Sequence, residues 1–211
     1  MTAPSDIDVE TTARVEAFSD GVFAIAITLL VLELKVPQGV GEGQLWHAVL
    51  AEWPSFGAYL TSFFVIGVMW VNHHAMFRQF VRCDRVLLFL NLLLLLWTAL
   101  LPFPTALLAR YVDAGGPDSH VAAAVYSANL LLAAVAFSAI WAYGVRGGRL
   151  ISEPLGALDE RRSLVRFGIG CLVYAATICL AFVSAPLVLA VQFLVALYYC
   201  FDQIAAGRRR P

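Results

Sequence analysis

The sequence predicts an all-α membrane protein with six transmembrane helices in a single domain, residues 1–211. Composition is the first observation: of the 211 residues, 61% are hydrophobic and 14% are charged, whereas soluble domains carry about 25% charged residues. The second observation is a series of six apolar stretches, each near the roughly 20 residues that a helix needs to cross a bilayer. The third is the uneven placement of lysine and arginine along the chain.

The six apolar stretches follow one another with short connections. The fifth and sixth are separated only by Ser184-Ala185-Pro186, which indicates a tight turn between two antiparallel spans. One long helix kinked at Pro186 is the alternative. The stretches are 16–34, 55–77, 86–109, 120–144, 164–183 and 186–205.

The connection between the first two stretches contains a short amphipathic segment. A glycine-rich turn, residues 36–43, precedes Gln44 to Trp53, and Pro54 ends the segment. Its apolar residues include two tryptophans, whose indole rings favour the boundary between hydrocarbon and water. We expect a short helix that lies in this interface.

The basic residues orient the predicted spans. If the N-terminus is cytoplasmic, twelve of the fourteen lysine and arginine residues lie on the inner side, and only Lys35 and Arg110 lie outside. An odd number of crossings would destroy this bias, so the chain is expected to keep both termini in the cytoplasm, as short tails 1–13 and 206–211. Arg208, Arg209 and Arg210 suit contact with lipid headgroups better than contact with nucleic acid.

The first stretch is the unusual one, because charges lie close to both of its ends. Only twelve uncharged residues separate Asp20 from Glu33. As a helix they cover roughly 18 Å, against the roughly 30 Å of the hydrocarbon core. Such a helix is costly in lipid unless its polar start is tied to neighbouring helices and its apolar face lines something other than lipid.

One apolar stripe runs along this first helix. Ile25, Leu29 and Leu32 follow the i, i+4, i+7 spacing of one helical face, and Thr28 lies beside them. The stripe continues toward the N-terminus through Val22 and Phe18. The small residues Gly21, Ala24 and Ala26 are expected on another face, where they allow close approach of a second helix. The alternative is that the whole stripe packs against other helices of the same chain.

Polar side chains at membrane depth are the other candidate functional groups. On the predicted topology Arg14, Asp20, His73, His74 and Asn91 lie at similar depth near the cytoplasmic side. They are expected to form one interhelical network that compensates a buried Asp20. Asp20 is interpreted as a structural anchor held by Arg14 and an imidazole, with a proton-carrying role as the alternative.

Other chemical interpretations of these residues fit less well. Adjacent histidines on a helix point about 100° apart, and no third ligand is spaced to complete a metal site with His73 and His74. Ser19 and Asp20 with His73 resemble a hydrolytic triad in composition alone, because no nucleophile elbow or oxyanion-hole loop accompanies them. The four cysteines show no paired spacing and are expected to be free thiols.

Three segments carry a family resemblance. Arg14-x-x-x-Phe18-Ser19-Asp20, followed by GVFAIAITLLVLEL, resembles the signature that opens the first helix of the TMEM175 family of lysosomal and bacterial cation channels. The second and third spans are similar to that family as well. Their matching residues are Trp70, Asn72, His73, His74 and Phe77, and then Asn91, Trp97 and Pro102.

The resemblance implies a function and an assembly. A chain with one copy of the signature corresponds to the bacterial form, a homotetramer in the plasma membrane whose pore is lined by the first helix of each subunit. It implies a weakly selective potassium-permeable channel that needs no cofactor, has K⁺ as its permeant ion and takes other monovalent cations. A proton-coupled secondary transporter that uses Asp20 and a histidine of the second helix is the alternative, and a non-conducting scaffold is a third interpretation.

The resemblance also assigns roles to residues. The tightest constriction of the pore would be Ile25, the next layers Leu29 and Leu32, and the hydroxyl that helps selectivity Thr28. A structural signature network would hold the first helix against the second and third, through Arg14, Phe18, Ser19, Asp20, Trp70, His73 or His74, and Asn91.

Overall fold

A computed structural model of the chain describes residues 6–148, 150–151 and 157–207, without the side chains of 6–11, 147, 157–163, 166–167 and 201–207. Its described residues fold into eight α-helices and two 3₁₀ helices. The α-helices are α1 (Asp6–Leu29), α2 (Leu45–Ala51), α3 (Trp53–Phe77), α4 (Arg85–Leu100), α5 (Pro102–Tyr111), α6 (Gly116–Val145), α7 (Ala157–Ala181) and α8 (Ala185–Gly207). The 3₁₀ helices are Leu30–Glu33, which extends α1, and Arg146–Gly148, which follows α6.

Four helical segments are long and apolar enough to cross a membrane: Thr12–Glu33, Trp53–Phe77, Arg85–Tyr111 and Gly116–Val145. Within the described residues, α7 and α8 contribute shorter apolar segments, Gly168–Ala181 and Ala185–Cys200. The all-helical, multi-pass membrane class is therefore confirmed. The predicted tails 1–13 and 206–211 lie partly outside the described residues. The arginine run 208–210 lies wholly outside them.

Helix α6 lies at the centre of the bundle and packs against α4, α5, α7 and α8, while α1 packs against α3 and α4. Tyr126 and Leu130 of α6 are fully buried in a cluster that also contains Leu30 and Ile66. A second cluster around Phe77 and Leu87 fills the end of the bundle where α3 ends and α4 begins. The two clusters hold α1 against α3 and α4, and α4 against α6.

The third predicted span is divided into α4 and α5 at Leu101. Pro102 occupies the first turn of α5, where its missing N–H leaves no helical bond unmade. The Thr105 hydroxyl donates to the Leu101 carbonyl oxygen at 2.8 Å and lies 2.7 Å from the Ser62 hydroxyl of α3. Tyr126 of α6 lies 3.0 Å from the same Ser62 hydroxyl. A buried group of three hydroxyls thus connects the bent span to both neighbouring helices.

The last two helices are separate elements. Helix α7 ends at Ala181, and α8 begins at Ala185 after a turn in which the Ser184 N–H donates to the Leu180 carbonyl oxygen. The buried Gln192 side chain of α8 donates from Nε2 to the Thr177 hydroxyl of α7 at 2.9 Å. The tight turn was therefore the right prediction, and the single kinked helix is excluded.

The predicted amphipathic segment forms α2, and no residue of this helix is buried. Leu45, Trp46 and Leu50 are all exposed, as is Trp53 at the start of α3. Pro54 lies in the first turn of α3 rather than at a break in the chain. The exposed indole rings remain available to a membrane interface, as the sequence predicts.

Two loops are joined at the end of the bundle that contains the α3–α4 connection. The Val81 N–H donates to the Leu150 carbonyl oxygen at 2.8 Å, next to an isolated antiparallel bridge between Phe80 and Ile151. The Tyr143 hydroxyl donates to Asp84 Oδ2 at 2.6 Å. These bonds hold the α3–α4 loop against the C-terminal end of α6.

Candidate pore-lining helix

One face of α1 is exposed along its membrane-spanning length. Ile25 is 61% exposed, Leu29 41% and Leu32 70%, and Phe18 and Thr28 lie on the same side. An exposed side chain recurs every three or four residues, which is the period of one helical face. We call this set, Phe18, Gly21, Ile25, Thr28, Leu29 and Leu32, the α1 stripe. No other helix among the described residues covers the stripe.

The placement of the small residues differs from the prediction. Gly21 and Ala24 are exposed on the stripe side, whereas Ala26 is 1% exposed and packs in the core. Gly21 precedes Ile25 by four residues, so the two share a face by helical geometry. The expectation of a separate small-residue face was therefore wrong. Val22, expected to continue the stripe, is half-buried against the core.

Thr28 carries the polar group of the stripe. Its hydroxyl lies 2.9 Å from the Ile25 carbonyl oxygen and 3.0 Å from the Ala24 carbonyl oxygen, so it donates to the backbone of its own helix. A hydroxyl that donates its single proton keeps oxygen lone pairs. Thr28 therefore presents an acceptor oxygen at the level of the Ile25 carbonyl.

The opposite face of α1 is held by a chain of buried hydrogen bonds. The Asn91 side chain of α4 donates from Nδ2 to the Ser19 hydroxyl oxygen at 2.9 Å, and Ser19 donates to the Val15 carbonyl oxygen at 2.8 Å. His73 Nε2 of α3 lies 2.9 Å from Asn91 Oδ1, which accepts. The Nε2–H tautomer of His73 follows, and its Nδ1 is buried without a hydrogen-bond partner. Asn91 of α4 thus connects α1, through Ser19, with α3, through His73.

Two further contacts join α1 and α3. The Trp70 indole donates from Nε1 to Asp20 Oδ1 at 2.8 Å, and His74 Nδ1 contacts Glu16 Oε1. The partner of Asp20 is therefore an indole, not the arginine or imidazole that we expected. Asp20 is half-buried rather than fully buried.

Sequence reasoning missed Glu16 as a member of this contact. Glu16 and Asp20 are four residues apart on α1, and Trp70 and His74 are four apart on α3. Residues spaced by four stack on one helical face, so the two pairs form two successive contacts between the same helices. This matched spacing was the available signal.

Arg14 and Phe18 differ from the other residues of the predicted network. Both are exposed, Phe18 at 58%, and Arg14 forms no hydrogen bond or ion pair within the described part of the chain. The network thus consists of a buried Ser19–Asn91–His73 part and a more exposed part with Asp20, Trp70, His74 and Glu16. Arg14 does not belong to this network within the described part of the chain.

The geometry fits neither a catalytic triad nor a metal centre. Ser19 is bound to Asn91 and to its own helix, and His73 is bound to Asn91, so no serine–histidine–aspartate chain is formed. No group of three His, Cys, Asp or Glu side chains within the described residues is arranged to hold a metal ion. The four cysteines are free: Cys83, Cys171, Cys179 and Cys200.

Comparison with known proteins finds a family match over the part of the chain that contains α1, α3 and α4. The sequence profile described as "Endosomal/lysosomal potassium channel TMEM175" matches residues 14–102. A protein of Streptomyces collinus named as a potassium channel is 54% identical over 198 residues, which cover 94% of this chain and 96% of that protein. A potassium channel of Chamaesiphon minutus is 44% identical and covers 89% of this chain and 93% of its own.

A solved structure is also similar. The crystal structure described as a lysosomal potassium-selective channel TMEM175 homolog from Chamaesiphon minutus matches with a TM-score of 0.81 at 40% identity, covering 92% of this chain and 98% of that one. These proteins are channels, not enzymes. High identity over nearly the full length of bacterial relatives, together with the shared fold, establishes that this chain is a bacterial member of the TMEM175 family.

Proposed function

We propose that four copies of this chain form a potassium-permeable, weakly selective cation channel whose pore is lined by the α1 stripe. The observation that carries the proposal is the contrast between the two faces of α1. One face is held to α4 by the buried bond from Asn91 to Ser19 and to α3 by the bond from Trp70 to Asp20, and the other presents Ile25, Leu29 and Leu32 to no helix within the described part of the chain. We infer that K⁺ is the permeant ion because the relatives are named as potassium channels.

A pore explains the stripe better than lipid does. Only about 18 Å of this span separates Asp20 from Glu33, so at least one of the two carboxyl groups lies within the depth of the roughly 30 Å hydrocarbon core. Arg14 is exposed at one end, and Thr28 places a hydroxyl oxygen in the middle of the exposed face. Charged and hydroxyl groups at membrane depth typically face a water-filled cavity or a partner subunit.

The mechanism follows from rings of branched side chains. Four Ile25 side chains around a common axis would narrow the pore and exclude water, which closes it to a hydrated ion. A small rotation or outward shift of the α1 helices would let water bridge the ring. Because K⁺ sheds its hydration shell more readily than Na⁺, an apolar constriction favours K⁺ modestly. Leu29 and Leu32 would form the next layers, and the Thr28 oxygen would offer a cation a partial replacement for water.

The membrane arrangement belongs to the same proposal. Helices α7 and α8 would complete six crossings, with both termini in the cytoplasm and the channel in the plasma membrane. The asymmetry of the basic residues supports this topology. The chain would need no cofactor, with K⁺ as the permeant ion and the lipid bilayer as its surroundings.

The residues at the α1–α3–α4 contact would act as anchors that keep the stripe turned toward the axis. The transporter alternative is not favoured. The relatives are named as channels, Asp20 is bound to the Trp70 indole, and His73 is bound to Asn91. No histidine contacts Asp20 through a hydrogen bond in the described part of the chain.

The experiment is single-channel recording on purified protein in planar bilayers, with Ile25→Asn as the test variant. A polar ring would hold water at the constriction, so we expect a larger resting conductance and a smaller K⁺ over Na⁺ preference. Ile169→Asn is the matched control: Ile169 of α7 is also an exposed isoleucine, and its replacement should leave conductance and selectivity unchanged. Wild-type currents in Ile25→Asn, or equal effects of both variants, would contradict the assignment of the constriction.

A further inference from the structure

We infer that the arginines at the α3–α4 end of the bundle bind the phosphate headgroup of an anionic lipid. The site consists of Arg78, Arg82, Arg85 and Arg146, which we call the arginine platform. This inference goes beyond the proposed pore and depends only on the position of the chain in a membrane.

The fold places these four residues at the same end of the bundle. Arg78 follows the last residue of α3, Arg85 begins α4, and Arg82 lies in the short connection between them. Arg146 follows α6 and begins the second 3₁₀ helix. The bond from the Val81 N–H to the Leu150 carbonyl oxygen joins the loop that follows each of these two helices. The platform is therefore a feature of the folded bundle and not of a single flexible loop.

The four guanidinium groups are available to a ligand. All four arginines are exposed, and none forms an ion pair or a hydrogen bond of its side chain with another described residue. Asp84, the residue before Arg85, accepts from the Leu87 N–H at 2.9 Å and from the Tyr143 hydroxyl at 2.6 Å. Its carboxylate thus caps the N-terminus of α4 and binds α6 through Tyr143.

The position of Arg85 identifies the ligand as a lipid rather than a free anion. Its guanidinium carbon lies 5.8 Å from the centre of the Phe89 ring, and Phe89 is 60% exposed on an apolar face of α4 that also includes Val86. Stacking on a ring leaves the N–H groups at the edge of the guanidinium free to donate, and this fork matches two oxygens of a phosphate. A ligand that contacts both groups has an anionic head beside an apolar chain.

The charged part and the apolar part of this site follow one another in the order of a phospholipid headgroup and its acyl chain. Arg85 is at the end of the helix, and the exposed Phe89, Leu92, Leu93 and Leu96 follow along α4 toward the middle of the predicted span. A phospholipid in the leaflet at this end would place its phosphate at the platform and its acyl chain along these residues. Juxtamembrane arginines attract anionic lipids in this way, by about fivefold in affinity for each residue.

The test is native mass spectrometry of the full-length protein in detergent, titrated with phosphatidylglycerol or with phosphatidylcholine of the same chain length. We expect phosphatidylglycerol to bind at least about tenfold more tightly, since each arginine contributes up to about fivefold, and the double variant Arg82→Gln/Arg85→Gln to lose most of this preference while it still binds phosphatidylcholine. Because both side chains are exposed, the variant should fold, and its elution in gel filtration checks this.

Arg110→Gln is the matched control. Arg110 is also exposed and lies 6.0 Å from the centre of the adjacent Tyr111 ring, but it is at the C-terminal end of α5. This variant should keep the preference for phosphatidylglycerol. The inference is overturned if the double variant keeps the preference or if Arg110→Gln loses it equally. It is also overturned if inorganic phosphate at millimolar concentration displaces the lipid, because the site would then serve a free anion.

Discussion

Asn91 donates its side-chain N–H to the Ser19 hydroxyl oxygen over 2.9 Å, inside the membrane-spanning part of the bundle and across 72 residues of sequence. Both side chains are buried. This bond helps to fix the rotation of α1 about its own axis, because Ser19 must face α4 for the bond to form. With that rotation fixed, the stripe on the other side of α1 is turned away from the bundle.

The first prediction concerns the amide at the centre of this contact. Asn91→Leu keeps the volume but leaves the Nε2–H of buried His73 without an acceptor, which we expect to cost about 1–2 kcal/mol in the free energy of unfolding. Equilibrium unfolding in mixed detergent–SDS micelles measures it. Thr98→Val is the control, because Thr98 is buried on the same helix and its hydroxyl donates only to the Leu94 carbonyl of that helix. If Thr98→Val lowers the free energy of unfolding as much as Asn91→Leu does, the interhelical bonds of Asn91 are not the cause of the loss.

The second prediction concerns the pair of Trp70 and Asp20. A double-mutant cycle with Trp70→Phe and Asp20→Ala should give a coupling free energy of about 1 kcal/mol, since the indole donates to a charged acceptor. Trp97→Phe combined with Asp20→Ala should be additive, because Trp97 of α4 does not contact Asp20. Additivity in both cycles would show that the Trp70 bond does not stabilise the helix pair.

Hydropathy alone predicts the order of the long apolar helices along the chain. The six apolar stretches correspond to α1, α3, the bent pair α4–α5, α6, α7 and α8. The break at Leu101 is harder to predict. Proline is tolerated in the first turn of a helix, so Pro102 is compatible both with a bend and with the end of a span.

The rotation of each helix is what the sequence leaves open. In water, the apolar side of a helix marks its buried face, but lipid and protein interior are both apolar, so this distinction is lost in a membrane. Helix α6 shows the consequence, with Leu130 buried and Leu132 41% exposed. The same ambiguity explains the wrong face for Gly21. Polar residues such as Asn91 resolve it only once their partners are known.

The third prediction concerns the close approach of α6 to the α3–α4 loop. A Cβ at Gly144 would overlap the ring of the buried Phe80, so Gly144→Ala should cost about 1–3 kcal/mol in the free energy of unfolding. Gly168→Ala is the control. Beyond its chain neighbours and the backbone of its own helix, no heavy atom of a described residue lies within 4 Å of that Cβ position on α7, so alanine there should be neutral or slightly stabilising.

Measuring Gly144→Ala in a Phe80→Leu background tests whether the ring of Phe80 causes the expected loss in the free energy of unfolding. In Phe80→Leu the smaller side chain leaves room for a methyl group, so Gly144→Ala should cost less there than in the wild-type background. Thermal unfolding followed by tryptophan fluorescence compares the four proteins. If the glycine change costs as much beside leucine as beside phenylalanine, the contact with the ring is not its cause.

The last prediction concerns the thiol in the α3–α4 loop. Burial, with a smaller contribution from the negative charge of Asp84, raises the pKa of Cys83 to about 11. Because the thiolate is the reactive form, the thiol of Cys83 should be largely unreactive at neutral pH. In a variant with Cys83 as its only cysteine, the rate of maleimide labelling should rise about tenfold per pH unit and continue rising past pH 9. A small peptide thiol, whose rate levels off near pH 9, is the control. Asp84→Asn should increase the rate at pH 8, because it removes the repulsion between carboxylate and thiolate. A plateau for Cys83 at the same pH as for the peptide would show that the loop leaves the thiol solvated.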